Sequence, residues 1–206
     1  MKNTVELIGH YGSDITHAQS AWTSTSRELT QDKIDRIPQL LSMLADNGHH
    51  TPFEKSNLHF LVTCDQASHI HLLKHRVGVS INGESARYKE LVEDKMYIPS
   101  DWPEQLQQDL IDFTIEANEF YHNFIDILTP KLGRKRAKES ARFFKTMNSQ
   151  ITMDVMFNWR SFYHFLNLRD KPDAQKEIRE IAQQMLHQVK NIDGNPFEHT
   201  INAFKL

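Results

Sequence analysis

Between Met147 and Phe157 apolar and polar residues alternate almost without interruption. Met147, Ile151, Met153, Val155 and Phe157 fall on one side, and Asn148, Gln150, Thr152 and Asp154 on the other. A repeat of two sends successive side chains to opposite faces of a pleated strand, so this segment predicts a strand with one face buried. A strand needs partners, and two further segments supply them. Ser56 to Cys64 alternates with Leu58, Phe60, Val62 and Cys64 on one face, and Thr4 to Ile8 alternates more weakly before Gly9 and Gly12.

The rest of the chain has helical periodicity. Asp14 is placed to cap a helix from about Ile15 to Trp22, and Thr30 one that runs to Asn47 with Ile34, Ile37, Leu41 and Leu44 on one face. Pro38 divides that second helix, and Gly48 stops it. Asp65 is placed to cap a helix from Gln66 to about Arg76, with Ile70 and Leu73 on one face and His71 and His75 on another. Glu104 to Leu128 carries Leu106, Leu110, Phe113, Ala117, Phe120, Phe124 and Ile127 at steps of four and three, a long amphipathic helix that Thr129-Pro130 should end. Its two aromatic faces predict packing against another subunit as well as against its own core. The basic segment Lys131 to Lys138 leads to a short helix around Arg142, and helices follow at about Trp159 to Leu168 and Ala174 to Ile192. Strands interspersed with helices, without repeats or linkers, predict an α+β fold: one domain over residues 1–206 with a central mixed or antiparallel sheet flanked by helices.

Composition removes several classes of function. A net charge of −3 lacks the basic excess of a nucleic-acid-binding domain. No apolar run approaches the ~20 residues of a membrane span, and the N-terminal MKNTVELIGHYG has no apolar signal-peptide core, so a cytoplasmic location is expected. Cys64 is the only cysteine, which rules out an intrachain disulfide. It lies on the apolar face of a predicted strand, where a thiol is inert.

The chemistry concentrates in Lys74 to Tyr88, KHRVGVSINGESARY. Three potential cations, Lys74, His75 and Arg76, run into Gly78, Ser80, Asn82 and Gly83, which are turn formers, and then into Ser85, Arg87 and Tyr88. A basic helix end followed by a small polar loop suits a phosphorylated ligand: backbone N–H groups can approach the anion, and arginine offers a fork of donors. Two other segments stand out, His49-His50-Thr51-Pro52-Phe53-Glu54 ahead of the strand at Ser56, and Asn158-Trp159-Arg160-Ser161-Phe162-Tyr163-His164-Phe165-Leu166-Asn167-Leu168-Arg169 followed by Ala174-Gln175-Lys176-Glu177-Ile178. The three together resemble the flavin-dependent thymidylate synthase family, whose members carry RHR, a loop and S-x-R-Y, a preceding H-x-[ST]-x-x-E, and N-x-R-S-x-x-[HN]-F-L-x-L-R with A-Q-x-E-I.

That resemblance implies reductive methylation of dUMP to dTMP, with methylenetetrahydrofolate as carbon donor and FAD reduced by NADPH, without an enzyme nucleophile. It implies that Thr51, Glu54, Lys74, His75, Arg76, Glu84, Asn158, Arg160 and His164 bind the flavin. His71, Lys74, Glu84, Ser85, Ala86, Arg87, Arg142 and Arg169 would hold the nucleotide, with Arg169 favouring the ionised uracil. It further implies a homotetramer with small-molecule substrates and with neither nucleic acid nor membrane as partner. Lys74 stands where the family has arginine, Gly83 lengthens the loop by one residue, and Phe143-Phe144 stands where the family has Leu-Pro. These departures leave open a related enzyme that modifies a pyrimidine nucleotide differently, for example by hydroxymethylation, or a non-catalytic nucleotide-binding protein. A metal-binding protein using His69, His71 and His75 is the weaker alternative, because the helix lacks a clear third ligand; no metal site is expected.

Overall fold

The computed structural model describes residues 2–206. Four strands, β1 (Thr4–Tyr11), β2 (Asn57–Asp65), β3 (Val79–Gly83) and β4 (Gln150–Asn158), form one sheet in the order β1-β2-β4-β3. Every neighbouring pair is antiparallel. Asn3 bonds to Asp65 while Gly12 lies against Ser56. Gln66 N–H donates to Met147 O while His59 meets Asp154. Asn158 N–H donates to Gly78 O while Glu84 N–H donates to Thr152 O. The fold is therefore α+β with an antiparallel sheet and flanking helices, as the patterning predicts.

The alternating segments keep their predicted faces. Leu58, Phe60, Val62 and Cys64 are wholly buried on β2, and Ile151, Met153, Val155 and Phe157 are buried on β4. The start of β4 differs from the prediction. Met147 is 58% exposed and Gln150 is buried, because the strand begins only at Gln150, whose side-chain amide donates to Lys2 O and Asn3 Oδ1. The stretch read as turn formers, Gly78 to Gly83, mostly builds β3. As an edge strand bonded to β4 alone, it shows pairing overriding propensity.

The chain divides into two compact units, neither continuous in sequence. One takes in the chain up to Thr4, Val62–Lys74 and Asn82–Met153; the other takes in Val5–Leu61, His75–Ile81 and Asp154–Leu206.

In the first unit, α4 (Gln66–Leu73) is capped by Asp65, which accepts from Ser68 N–H. The helix stops at Leu73, so His75 lies beyond it. Its buried residues are Ser68 and Leu72, while Ile70 and Leu73, which share one face as the sequence predicts, are exposed. α5 (Glu104–Leu132) runs through Pro130 and ends at Gly133, whose φ of 76° closes it. A proline in the last turn forfeits one carbonyl partner without stopping the helix, and the left-handed glycine is the true terminator. Its buried line is Thr114, Ala117, Asn118, Tyr121 and Ile125, rotated from the predicted stripe; Leu106, Phe113, Phe120 and Ile127 are exposed. Tyr121 and Ile125 pack with Ala141 of α6 (Arg134–Ala141).

In the second unit, α1 (Asp14–Trp22) is capped by Ser13, not by Asp14. Asp14 is buried and accepts from His199 N, Thr200 N and Thr200 Oγ1 instead. Pro38 divides the next helix as expected, into α2 (Gln31–Asp35) and α3 (Ile37–Asp46). The segment from Thr51 to Lys55 is a 3₁₀ turn whose Phe53 is buried. α7 (Trp159–Arg169) follows β4 directly, capped by Asn158, and α8 (Lys176–Lys190) and a helix missed by the patterning, α9 (Glu198–Ala203), complete the unit. Rings of Phe60, Phe157, Phe162 and Phe165 interlock at centroid distances of 5.3–6.4 Å.

Candidate active site

Asn158 ends β4 and begins α7, which orients everything around it. Its Oδ1 accepts from Ser161 N–H at 2.9 Å, and its own N–H donates to Gly78 O at 3.1 Å. Ser161 Oγ donates to Val77 O at 2.7 Å, so residues 77–78 are sewn to the first turn of α7. Gly78 has φ +68°, and a Cβ there would lie 2.2 Å from Ser161 Oγ and 2.5 Å from Asn158 Nδ2. Only glycine fits this approach without strain.

A cavity of about 540 Å³ opens beside this junction, within the range of ligand pockets. Four predicted flavin-binding residues meet on its wall: Glu54, Asn158, Arg160 and His164. Arg160 Nη1 donates to Glu54 Oε1 at 2.6 Å, which ties the guanidinium to that carboxylate on the cavity wall. Thr51 and Arg76, in the same unit, are exposed and off that wall. The cavity is also lined by His50 and Tyr163, which the sequence reading passed over. A signal existed: Tyr163 follows Arg160 by three residues on one helical face, and His50 adjoins Thr51.

At the other end of α7, Arg169 Nε donates to His75 Nε2 at 3.1 Å. His75 is 8% exposed, edge-on to Phe165 at 5.0 Å. An imidazole nitrogen that accepts a hydrogen bond carries no proton, so this contact holds Arg169 without neutralising it. Among the described residues Arg169 makes no ion pair.

The first unit holds the remaining candidates. Lys74 closes α4 and is exposed; His71 is half-buried one turn earlier. Glu84 accepts from Thr152 N–H at 2.8 Å and from Lys89 Nζ. Burial alone would raise its carboxyl, but the Lys89 ammonium and the Thr152 N–H hold it below the ordinary value. Ser85 Oγ accepts from Arg87 N–H, and Ala86 lies between them, half-buried. Arg87 Nε donates to Glu139 Oε1 at 2.8 Å, a bond that raises the guanidinium and lowers the Glu139 carboxyl. Arg142 is exposed just past α6 and, among the described residues, makes no ion pair. The connection after Ser85 is clasped by α5: His122 meets Glu90 and Asp94 at 2.8 and 2.9 Å, and Tyr121 Oη accepts from Leu91 N–H. Cys64 is wholly buried, and burial beside Asp65 pushes its thiol up, so it offers no thiolate nucleophile. Among the described residues no group of three or more His, Cys, Asp or Glu could hold a metal ion, and no helix is long and apolar enough to cross a membrane.

An antiparallel α+β fold with a cavity walled by arginine, histidine and a capped helix start marks a candidate ligand-binding domain. Comparison narrows this to a family. Residues 6–193 match the family described as thymidylate synthase complementing protein. The chain is 28% identical to the flavin-dependent thymidylate synthase of Streptomyces avermitilis, with 88% of this chain and 84% of that protein aligned. It is 31% identical to that of Thermosipho africanus, covering 88% and 83%. The crystal structure of the UMP/dUMP methylase PolB from Streptomyces cacaoi bound with 5-Br dUMP superimposes with a TM-score of 0.80 at 26% identity, over 99% of this chain and 95% of that one. The chain belongs to the flavin-dependent thymidylate synthase family and is an enzyme of the methyltransferase class.

Proposed function

We propose that this chain catalyses the reductive methylation of dUMP to dTMP with methylenetetrahydrofolate as carbon donor and FAD, reduced by NADPH, as cofactor. The observation that carries the reading is Arg169, held by a neutral imidazole and so left with its charge for a ligand. A guanidinium placed against the uracil stabilises negative charge as it develops on the ring, and its pre-set orientation spares reorganisation at that moment.

The cavity of the second unit fits a flavin dinucleotide. Gly78 leaves the space that any side chain would fill, and Arg160 presents a fixed cation for a phosphate. Glu54, Asn158, Arg160 and His164 would hold the cofactor, with Thr51, His75 and Arg76 of the same unit; the family resemblance also gives Lys74 and Glu84 a cofactor-binding role. When bound, the flavin supplies the reducing hydride. In the first unit, Arg87 and Arg142 take the nucleotide phosphate, Arg87 exchanging Glu139 for it, while His71, Lys74, Glu84, Ser85 and Ala86 complete the nucleotide contacts. Residues 1–206 would act as one functional domain. The exposed apolar residues of α5 support a homotetramer, and the absence of any basic excess or apolar span supports small-molecule partners in the cytoplasm.

The visible absorption spectrum of the purified protein, before and after dUMP, tests this. A bound flavin whose bands shift with dUMP is expected; a colourless protein that takes up no added FAD would overturn the reading. One observation favours a second substrate: the same methylase is also known bound with 5-Br UMP, and that structure superimposes with a TM-score of 0.74 at 25% identity. Mass analysis of products from dUMP and UMP separates the two, and separates methylated from hydroxymethylated bases.

A further inference from the structure

Residues 86–95 follow Ser85 with neither helix nor strand to hold them. Their own backbone supplies little. Tyr88 and Lys89 N–H donate to Ser85 O, and Asp94 sits at φ 45°, a left-handed conformation that costs energy in a residue other than glycine. What holds the segment is a chain of charges. Arg134 Nη2 donates to Glu90 Oε2 at 2.8 Å, and Glu90 Oε1 meets His122 Nδ1 at 2.8 Å. His122 Nε2 meets Asp94 Oδ2 at 2.9 Å, and Lys145 Nζ donates to Asp94 Oδ1 at 2.7 Å. Every member belongs to the first unit.

The two contacts to the ring fix its protonation. Each carboxylate gives one oxygen to a cation, Arg134 or Lys145, and the other to His122, so both remain ionised and both can only accept. A neutral imidazole has a single N–H, and its bare nitrogen would face a carboxylate oxygen with no hydrogen between them. With both nitrogens protonated the ring donates twice, and the signs alternate from Arg134 through Glu90, His122 and Asp94 to Lys145. The ends of the chain are held as well. The Lys145 ammonium lies over the Tyr121 ring at 4.4 Å and bonds to Asn118 Oδ1, and Asp126 faces Arg134 at 3.6 Å. Tyr121 also stands edge-on to His122, at 4.9 Å.

We propose that His122 is a positioning residue for the nucleotide: as an imidazolium it clasps residues 86–95 against α5, and dUMP affinity falls when the ring loses its proton. The assignment rests on the nucleotide reading of Ser85, Ala86 and Arg87 given above. Glu90 follows Arg87 by three residues, Lys138 Nζ donates to Tyr88 O at 2.7 Å, and Arg87 lies against Glu139 of α6. A connection released from α5 therefore shifts the phosphate-binding end of the motif. His122 acts on the ligand only through Glu90 and Asp94.

NMR of the full chain, labelled with nitrogen-15 in its histidines, tests the protonation without any ligand; His122→Gln identifies the signals by their loss. Both ring nitrogens should carry protons at pH 7, and one bare nitrogen would overturn the proposal. The dUMP affinity of the flavin-loaded chain, by calorimetry, tests the consequence. Glutamine keeps a polar side chain without a titrating charge. His122→Gln should therefore bind dUMP about tenfold more weakly at pH 6.5, the scale of one charge-assisted hydrogen bond. Raising the pH takes the proton from the wild-type ring and leaves the variant as it was, so the gap should close toward pH 9. A gap that stays constant with pH, or no gap at pH 6.5, would overturn the clasp. Glu90→Gln, which takes one carboxylate from the ring, should fall between the two and serves if His122→Gln fails to fold. A wild-type chain whose ring carries both protons and yet binds no dUMP would instead overturn the nucleotide reading itself.

Discussion

His17 shows how one residue ties a unit together and sets its acid sensitivity. Thr200 Oγ1 donates to Asp14, so it accepts from His17 Nδ1–H, and His17 Nε2 accepts from Ser56 Oγ at 2.7 Å. The ring is fully buried among Phe53, Trp159 and Phe197, and burial pushes it down to about 3 from 6.5. The folded state therefore binds fewer protons here than the unfolded chain, and stability falls as pH drops from 6.5 toward 3, by up to ~1.4 kcal/mol per pH unit. Burial raises Asp14 above its ordinary 3.8, which acts in the opposite direction on acidification. The difference in urea midpoint between wild type and His17→Leu isolates the histidine: the gap should narrow from pH 7 to pH 4, and a constant gap would contradict the argument. Arg169 offers a second test at this scale. Arg169→Ala should lower turnover by ~10²-fold or more, the scale of losing one pre-set donor, while flavin absorbance is retained. A variant that loses the flavin as well would assign Arg169 to cofactor binding.

Among the elements, the junction of Gly78 with α7 and the edge of β1 bear the most weight. Gly78→Ala would force a side chain into the Ser161 and Asn158 contacts from a left-handed backbone. It should cost at least ~2 kcal/mol, combining the αL penalty with a lost hydrogen bond, and flavin affinity should fall with it; an unchanged unfolding midpoint would show that the junction adapts. At the β1 edge, Gln188 of α8 imitates a neighbouring strand, accepting from Leu7 N–H at 2.5 Å and donating to Val5 O at 2.6 Å. Gln188→Leu strips both partners from an edge strand. The expected loss is about 1–3 kcal/mol, with light scattering showing aggregation through the exposed edge.

For the whole molecule, the unpaired face of α5 carries the prediction. Leu106, Phe113, Phe120 and Ile127 recur every seventh residue, and Phe113 and Ile127 are 60% and 65% exposed. Apolar residues at heptad spacing mark a seam for another helix. The double variant Phe113→Glu with Ile127→Glu should convert the proposed tetramer to smaller species in sedimentation velocity. An unaltered sedimentation coefficient would remove α5 from the interface.

Local order was legible wherever it rests on periodicity or capping chemistry. The burial of alternate residues on β2 and β4, the caps at Thr30 and Asp65, and the family-defining segments all follow from residues near one another in the chain. Long-range contacts escaped it. Turn-forming residues became β3 because β4 offered a ladder, Asp14 left its capping role for backbone donors at His199 and Thr200, and α5 buried a line turned away from its most apolar stripe to meet α6. The candidate site divides the same way. The sequence by itself determined which arginines and histidines could serve a flavin and a nucleotide, because those residue types stand in short motifs. Only the tertiary structure decided that Arg169 rests on a neutral His75, that Arg87 is matched to Glu139, and that His50 and Tyr163 share a cavity with Arg160. Such pairings join residues up to 113 positions apart, and packing sets them where local spacing cannot.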